Sequence, residues 1–186
     1  MNSLLIDTHD TKVSFVLYKD GILKDKIEVE SNMRHSEIAM PSLIELIKKN
    51  NLVISDISEI LVVIGPGSFT GVRIGVVISK TIAYLLNIPI KCLTSLDIIV
   101  MSSDDIKEGK YYISEKNGYF VGKYNSQGKV IDGIQYFNKN DFNACDAITC
   151  EKIDYNNVYR HSIKIESINP HLVNPLYVKQ IEALKW

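Results

Sequence analysis

The sequence predicts a mixed α/β fold whose sheet is part antiparallel and part parallel. Three observations predict it. Three strand-like runs joined by tight turns open the chain. A continuous apolar run, Glu59–Ile64, stands between two helical segments. A long apolar helix over residues 70–87 is followed at once by another short strand.

Each element follows from its local pattern. Ser3–Thr8 is a short apolar run, the mark of a buried strand. Lys12–Tyr18 alternates around Val13, Phe15 and Leu17. Lys19-Asp20-Gly21 is a turn, and Ile22–Glu30 alternates apolar and charged residues, leaving one face in water. Ser36–Lys49 has helical spacing, with Glu37 in its first turn and Lys48 and Lys49 in its last, as the helix dipole favours. Pro41 predicts either a kink or a helix that starts near it. Glu59–Ile64 carries no exposed-face alternation and suits a central parallel strand. Gly65-Pro66-Gly67-Ser68 breaks it. Thr70–Asn87 is a helix ended by Pro89, Ile90–Leu93 a short strand, and Ser95–Met101 a short helix capped by Ser95. The order βββ-α-β-α-β-α is that of the ribonuclease-H-like half-domain of actin-like and sugar-kinase-like proteins. It carries no function by itself.

After Ser102 the texture changes. Asp104–Lys110 is polar and reads as a linker. Tyr111–Ser114, Tyr119–Tyr124 and Val130–Phe137 read as strands, with Asn117-Gly118 as a hairpin turn; Ala144–Cys150 and Val158–Arg160 read as further strands. The chain is thus expected to divide into a lobe over residues 1–103 and a reduced second lobe with a C-terminal segment over 104–186.

Composition limits the function. With 186 residues the chain can bury a core of its own, and 46% apolar against 23% charged residues excludes disorder. A net charge of −1 gives no basic excess for holding nucleic acid by counterion release. Three cysteines, Cys92, Cys145 and Cys150, make a disulfide framework and a four-ligand zinc site improbable. Met1-Asn2-Ser3 lacks a positive n-region, and the uncharged apolar strings are strand-sized, so the expectation is a soluble cytoplasmic chain.

The segment Gly65-Pro66-Gly67-Ser68-Phe69-Thr70-Gly71-Val72-Arg73-Ile74-Gly75 follows a buried strand and opens a helix. Three readings compete. As a nucleotide loop it fails the phosphate-loop spacing and has no lysine, and its third glycine is one residue late for a dinucleotide fingerprint. As a packing device, Gly71, Gly75 and Ser79 are four apart on one side of the helix and admit another backbone. The third reading is a partner. The helix has only Arg73, Lys80 and Asn87 as strongly polar residues, seven apart, so they form one stripe roughly 40° wide. A sheet buries an arc of only a little over ~100°. Either the second lobe or another subunit must cover the remainder.

The same eleven residues closely resemble the signature of the TsaB (YeaZ) family. Leu4-Leu5-Ile6-Asp7-Thr8 resembles that family's opening strand. His35-Ser36-Glu37 with Met40-Pro41 resembles its first helix. Ile88-Pro89 with Thr94-Ser95-Leu96 resembles the elements after the signature. Pro175-Leu176-Tyr177-Val178-Lys179 with Glu182-Ala183 resembles the C-terminal motif, with Lys where Arg is usual. The resemblance implies a non-catalytic subunit of the machinery that makes N6-threonylcarbamoyladenosine in tRNA. It would dimerise with and activate the transferase TsaD, with the ATPase TsaE joining the assembly. It would form a homodimer when alone and meet tRNA only through the complex. ATP and metal would belong to the partners, with no cofactor, metal or catalytic residue on this chain. Contact through the first two helices makes Ile38, Leu43, Ile47, Gly71, Arg73, Gly75, Val76, Ile78 and Lys80 the candidate interface residues. The family's Asp-Ala-Arg-like strand is replaced by Ile113-Ser114-Glu115-Lys116-Asn117, and the second lobe is short.

The alternative is a stand-alone, degenerate actin-like ATPase or phosphotransferase. Asp7-Thr8-His9-Asp10-Thr11 lacks the glycine of such a phosphate turn, so Asp7 and Asp10 are expected to cap the turn. His9, His35, His161 and His171 stand singly, without metallopeptidase spacing, and His35 reads as a structural residue at a helix start. Pro66-Gly67-Ser68-Phe69-Thr70 does not make a nucleophile elbow. Asp104-Asp105 reads as a solvated pair in the linker.

Overall fold

The computed structural model describes residues 1–179. The C-terminal Glu182-Ala183 pair lies outside them. Eight strands and four helices follow one another as β1 (Asn2–Asp7), β2 (Lys12–Lys19), β3 (Ile22–Glu30), α1 (His35–Lys49), β4 (Glu59–Val63), α2 (Phe69–Leu86), β5 (Ile90–Leu93), α3 (Ser95–Met101), β6 (Gly109–Glu115), β7 (Gly118–Tyr124), β8 (Val130–Asn138) and α4 (Tyr155–Ser162). Short 3-10 turns stand at Ile54–Asp56, Ala144–Asp146 and Pro170–Leu172.

The first sheet has the order β3-β2-β1-β4-β5. β1 and β3 run antiparallel to β2, while β1, β4 and β5 run parallel. β4 is therefore a central parallel strand, and all five of its residues are buried. Side chains alternate between the two faces. Leu4, Ile6, Phe15 and Val62 pack under α1 and α2, and Leu5, Val16, Leu61 and Val63 pack under α3 and α4. The result is a mixed α/β fold of the expected ribonuclease-H-like, actin-like type.

A second, antiparallel sheet, β6-β7-β8, rests on α3 through Leu96, Ile99, Val100, Tyr111, Phe120 and Tyr124. The chain then returns to the first sheet as α4. Tyr18 Oη donates to the Tyr155 carbonyl oxygen at 2.9 Å. At the far end, Glu59 accepts from Ser3 Oγ (2.9 Å) and Tyr159 Oη (3.3 Å) and pairs with Lys91 Nζ (2.9 Å), all nearly out of solvent.

Several local expectations are corrected. α1 starts at His35, six residues before Pro41, and continues past it to Lys49, so the helix does not begin near Pro41; the missing Pro41 amide leaves the Glu37 carbonyl without its helical partner, at a point where both residues are exposed. Val158–Arg160 is not a strand but part of α4, whose buried Tyr155, Val158, Tyr159 and Ser162 have helical spacing behind an Asp154 cap. Ala144–Cys150 is not a strand: Ala144–Asp146 is a 3-10 turn, and within the stretch Ile148 alone bridges to Tyr111. The cap of α3 is Thr94, in a reciprocal box with Asp97; Ser95 is buried and donates to the Pro66 carbonyl at 2.6 Å. α2, contrary to the reading of strand-sized strings, is long and apolar enough to cross a membrane by length and composition. It nevertheless lies on the sheet, with Gly71, Val72, Gly75, Val76, Ser79 and Ala83 buried.

The small residues of α2 make that contact possible. A Cβ on Gly71 would stand 2.1 Å from the Thr8 carbonyl oxygen, and one on Gly75 would stand 2.3 Å from Thr8 Oγ1. The packing-device reading is thus borne out. Gly71→Ala must push backbone against backbone and is expected to cost about 1–3 kcal/mol in urea unfolding. Thr81→Ala, on the exposed side of the same helix, is expected to stay within about 0.5 kcal/mol of the parent. Equal midpoints for the two variants would contradict the contact.

Candidate functional site

Two loops meet at the end of β1. The β1–β2 turn carries Thr8 and His9, and the glycine-rich loop after β4 leads into α2. The Ser68 amide donates to the His9 carbonyl at 2.6 Å, and Thr8 Oγ1 donates to the Gly71 carbonyl at 2.7 Å. Ser68 Oγ accepts from the Gly71 amide and caps α2. A Cβ on Gly67 would stand 2.2 Å from the His9 carbonyl oxygen. The backbones of the two loops touch here. Asp7 caps the turn as expected, accepting from the His9 amide (3.1 Å) and from His9 Nδ1 (2.6 Å). Buried His35, the first residue of α1, hydrogen-bonds the Asp10 carbonyl oxygen through Nε2 at 2.7 Å, which fits its structural reading. Among the described residues, His, Cys, Asp and Glu side chains gather nowhere in threes to hold a metal.

α2 shows a wide outer arc. At about 100° per residue the buried residues fill one side, and Phe69, Arg73, Val77, Thr81, Tyr84 and Leu85 fall on the other. Val77, Tyr84 and Leu85 are 58%, 59% and 73% exposed, and Ile74 and Ile78 are half-buried at the margin. α1, which packs beside α2, adds Met40 and Ile44, each 45% exposed.

One edge of this arc is covered by the chain itself. The segment after α4 bonds to β5 through the Ile168 amide and the Ile90 carbonyl (2.9 Å). It bonds to the end of β4 through the Leu176 amide and the Ile64 carbonyl (2.7 Å). Between these points Lys80 Nζ donates to the Val173 carbonyl oxygen at 2.9 Å, and Tyr84 packs edge-on to His171. Arg73 Nε donates to Tyr177 Oη at 2.6 Å, and its guanidinium lies 3.7 Å from the Phe69 ring centre. The polar stripe that the sequence offered to a partner is therefore partly engaged inside the chain.

A family model described as "TsaD: tRNA N6-adenosine threonylcarbamoyltransferase" matches residues 28–134, more than half of the chain. The chain is 36% identical over 99 residues to the tRNA threonylcarbamoyladenosine biosynthesis protein TsaB of Bacillus subtilis, a stretch covering 53% of this chain and 43% of that protein. It is 27% identical over 139 residues to the TsaB protein of Escherichia coli, covering 66% of this chain and 60% of that one. YeaZ from Pseudomonas aeruginosa has the same fold, with a TM-score of 0.75 at 15% identity over 95% of this chain and 100% of that chain. The chain belongs to the TsaB (YeaZ) family. Its matches span about half the length of these curated relatives.

Within this TsaB-family fold the nine residues singled out in the sequence fall into two groups. Leu43, Ile47, Gly71, Gly75 and Val76 are buried in the chain's own core. Leu43 and Ile47 face the sheet, Val76 lies under the helix, and the glycines meet Thr8, so none of these five presents a side chain outward. Ile38 and Ile78 are half-buried, Arg73 is exposed, and Lys80 is half-buried and bonded to the terminal segment. Reading by residue type missed the outward set: Met40, Ile44, Phe69, Val77, Tyr84 and Leu85. The helical wheel centred on Arg73 could have found Phe69, Val77 and Tyr84, which lie within about 40° of it, but not Leu85, about 120° away.

The His9–Asp7 pair is sensitive to pH. Burial opposes charge on the imidazole, but the charge and hydrogen bond of Asp7, aided by Asp10, outweigh it, and the His9 pKa lies above 6.5. A raised folded-state pKa stabilises fully below the unfolded value of about 6.5 and ceases to do so as pH rises through the folded value. Stability measured by urea unfolding is therefore expected to fall above about pH 6.5 by more in the parent than in His9→Gln. A His9 titration by NMR at or below 6.5 would contradict the pairing.

Proposed function

We propose that this chain is a non-catalytic subunit of the machinery that makes N6-threonylcarbamoyladenosine in tRNA, and that it binds and activates a TsaD-like transferase. One observation carries the reading. The outer arc of α2, with α1 beside it, keeps Val77, Tyr84, Leu85, Met40 and Ile44 in water, although the sheet, α1 and the terminal segment cover every other side of α2. Neighbouring exposed apolar residues on two helices mark a protein interface. The family supports the choice of partner, because its relatives bear the name of this biosynthesis.

Catalysis belongs to the partner in this reading. The amide of Ser68, which a nucleotide loop would turn to phosphate, is spent on His9, and glycine at 67 and 71 serves backbone contact. The stand-alone ATPase or phosphotransferase is the less favoured reading for the same reason. ATP and metal are held by the TsaD-like subunit and a TsaE-like ATPase that joins it. tRNA is met only through the assembly, in the cytoplasm. Alone, the chain covers the same two helices with a second copy of itself.

Co-purification with the same organism's TsaD-like protein, read by size exclusion with light scattering, tests the reading. A stable complex is expected. Val77→Glu and Leu85→Glu are expected to abolish it without lowering the melting temperature. Val76→Glu, which buries an unpaired charge, is expected to unfold the chain. Absence of a complex with and without ATP and magnesium, or unfolding by Val77→Glu, would overturn it.

A further inference from the structure

We infer that Arg73 is a pre-set receptor for a carboxylate of the protein that docks on α2; this deepens the partner reading and rests on it. A guanidinium has five N–H donors in a rigid fork. In Arg73 the Nε donor is spent on Tyr177 Oη at 2.6 Å, and one face of the plane lies on Phe69 at 3.7 Å with Tyr177 alongside at 5.6 Å. Phe69 and Tyr177 also contact each other, 5.3 Å between ring centres. The side chain is therefore held in one orientation before any ligand arrives. Among the described residues neither terminal nitrogen of Arg73 has a protein acceptor, and no carboxylate lies within 4.0 Å of it. The residue is nevertheless exposed.

Its surroundings say what it would take. α2 has no acidic residue anywhere in its 18 residues, and its other cation, Lys80, is committed to the carbonyl oxygens of the terminal segment. Among the described residues the two terminal nitrogens of the fork thus stand unengaged at the head of an apolar arc, one turn from Val77 and on the side of Tyr84. A fixed fork beside apolar and aromatic surface matches a carboxylate with two parallel hydrogen bonds, and an interface that excludes water strengthens them. Nucleic acid fits less well. Phosphate backbones are held by several cations acting together, and this chain offers one here on a net charge of −1. Tyr177 and Phe69 act as positioning residues. They reach Arg73 from the terminal segment and from the first turn of the same helix, and so tie that segment to the docking face.

Titration calorimetry of the full chain against the same organism's TsaD-like protein tests this. Arg73→Ala is expected to weaken the complex roughly 30-fold or more with an unchanged melting temperature. Arg73→Lys is expected to recover only part of that loss, since an ammonium keeps the charge without the fork. Tyr177→Phe is expected to weaken binding less, and to add nothing once Arg73 is Ala. Arg73→Glu is expected to be rescued by one Asp→Lys or Glu→Lys change among the partner's surface acids. Parent-like binding by Arg73→Ala, where Val77→Glu still fails, would overturn the carboxylate receptor and leave the partner reading standing. Rescue by none of the partner's acids, with affinity for tRNA lost instead, would overturn it in favour of phosphate. Failure of the parent chain to bind overturns both.

Discussion

A backbone-to-backbone contact that only glycine permits holds the architecture in place. α2 enters the fold with Gly67, in the loop before it, against the His9 backbone, Gly71 against the Thr8 backbone and Gly75 against the Thr8 side chain, with two short hydrogen bonds across the contact. A side chain at Gly71 would lift the helix off the end of β1. Val72 and Val76 would then leave the cluster they share with Leu4, Ile6 and Val62. The same contact sets the rotation of α2 about its axis, because the glycine side must point inward. Everything opposite to it points outward, and the exposed arc is thus a consequence of the glycine spacing. It also explains why a loop with the look of a phosphate site can serve another purpose. An amide that closes a loop against its neighbour is no longer free for an anion.

The cations of α2 are best understood from the same geometry. A helix with so little charge needs its Lys and Arg for something other than a generally wetted face. Lys80 sits where the terminal segment crosses and bonds the His171 and Val173 carbonyls, at and just after the 3-10 turn Pro170–Leu172. Arg73 sits a further two turns toward the N-terminus, where the segment turns away past Tyr177. The terminal segment therefore narrows the arc on one edge and leaves the edge toward α1 open. Lys80 in the middle of the polar stripe is internal fastening, while Arg73 and Asn87 at its two ends are exposed.

Much of the fold was legible because burial on two faces and helical spacing are local signals. β3 alternates because it is an edge, and β4 does not because helices cover both its faces. α4 is harder to read because the run Val158–Arg160 taken alone is strand-like, while the spacing of three and four among Tyr155, Val158, Tyr159 and Ser162 belongs to a helix. The cap of α3 is Thr94 and not the adjacent Ser95, and Thr94 followed three residues on by Asp97 is the reciprocal pattern. The site was less legible. Which side of an apolar helix faces out depends on what a distant segment does, here Thr8 on one side and residues 168–177 on the other. Leu43, Ile47 and Val76 are as apolar as Ile44 and Val77, and composition cannot separate them.

The short second half of the chain follows a related logic. Its three-stranded sheet meets the rest through α3, and Tyr124 secures it by donating to Asp97 at 2.9 Å. α4, by contrast, closes a buried polar network. Glu59 carries a charge at the base of β4 that Lys91 neutralises and that Ser3 and Tyr159 complete with hydroxyl groups. Removing one member of such a set leaves a buried charge under-served, at a cost of several kcal/mol, about 3–5 for an ion pair that loses its partner. Tyr18 and Tyr155 add a second tie, with the Tyr155 hydroxyl reaching Glu28. α4 is thus held by chemistry at the base of the first sheet, and the exposed face of α2 is set on the other side of that sheet by the glycines.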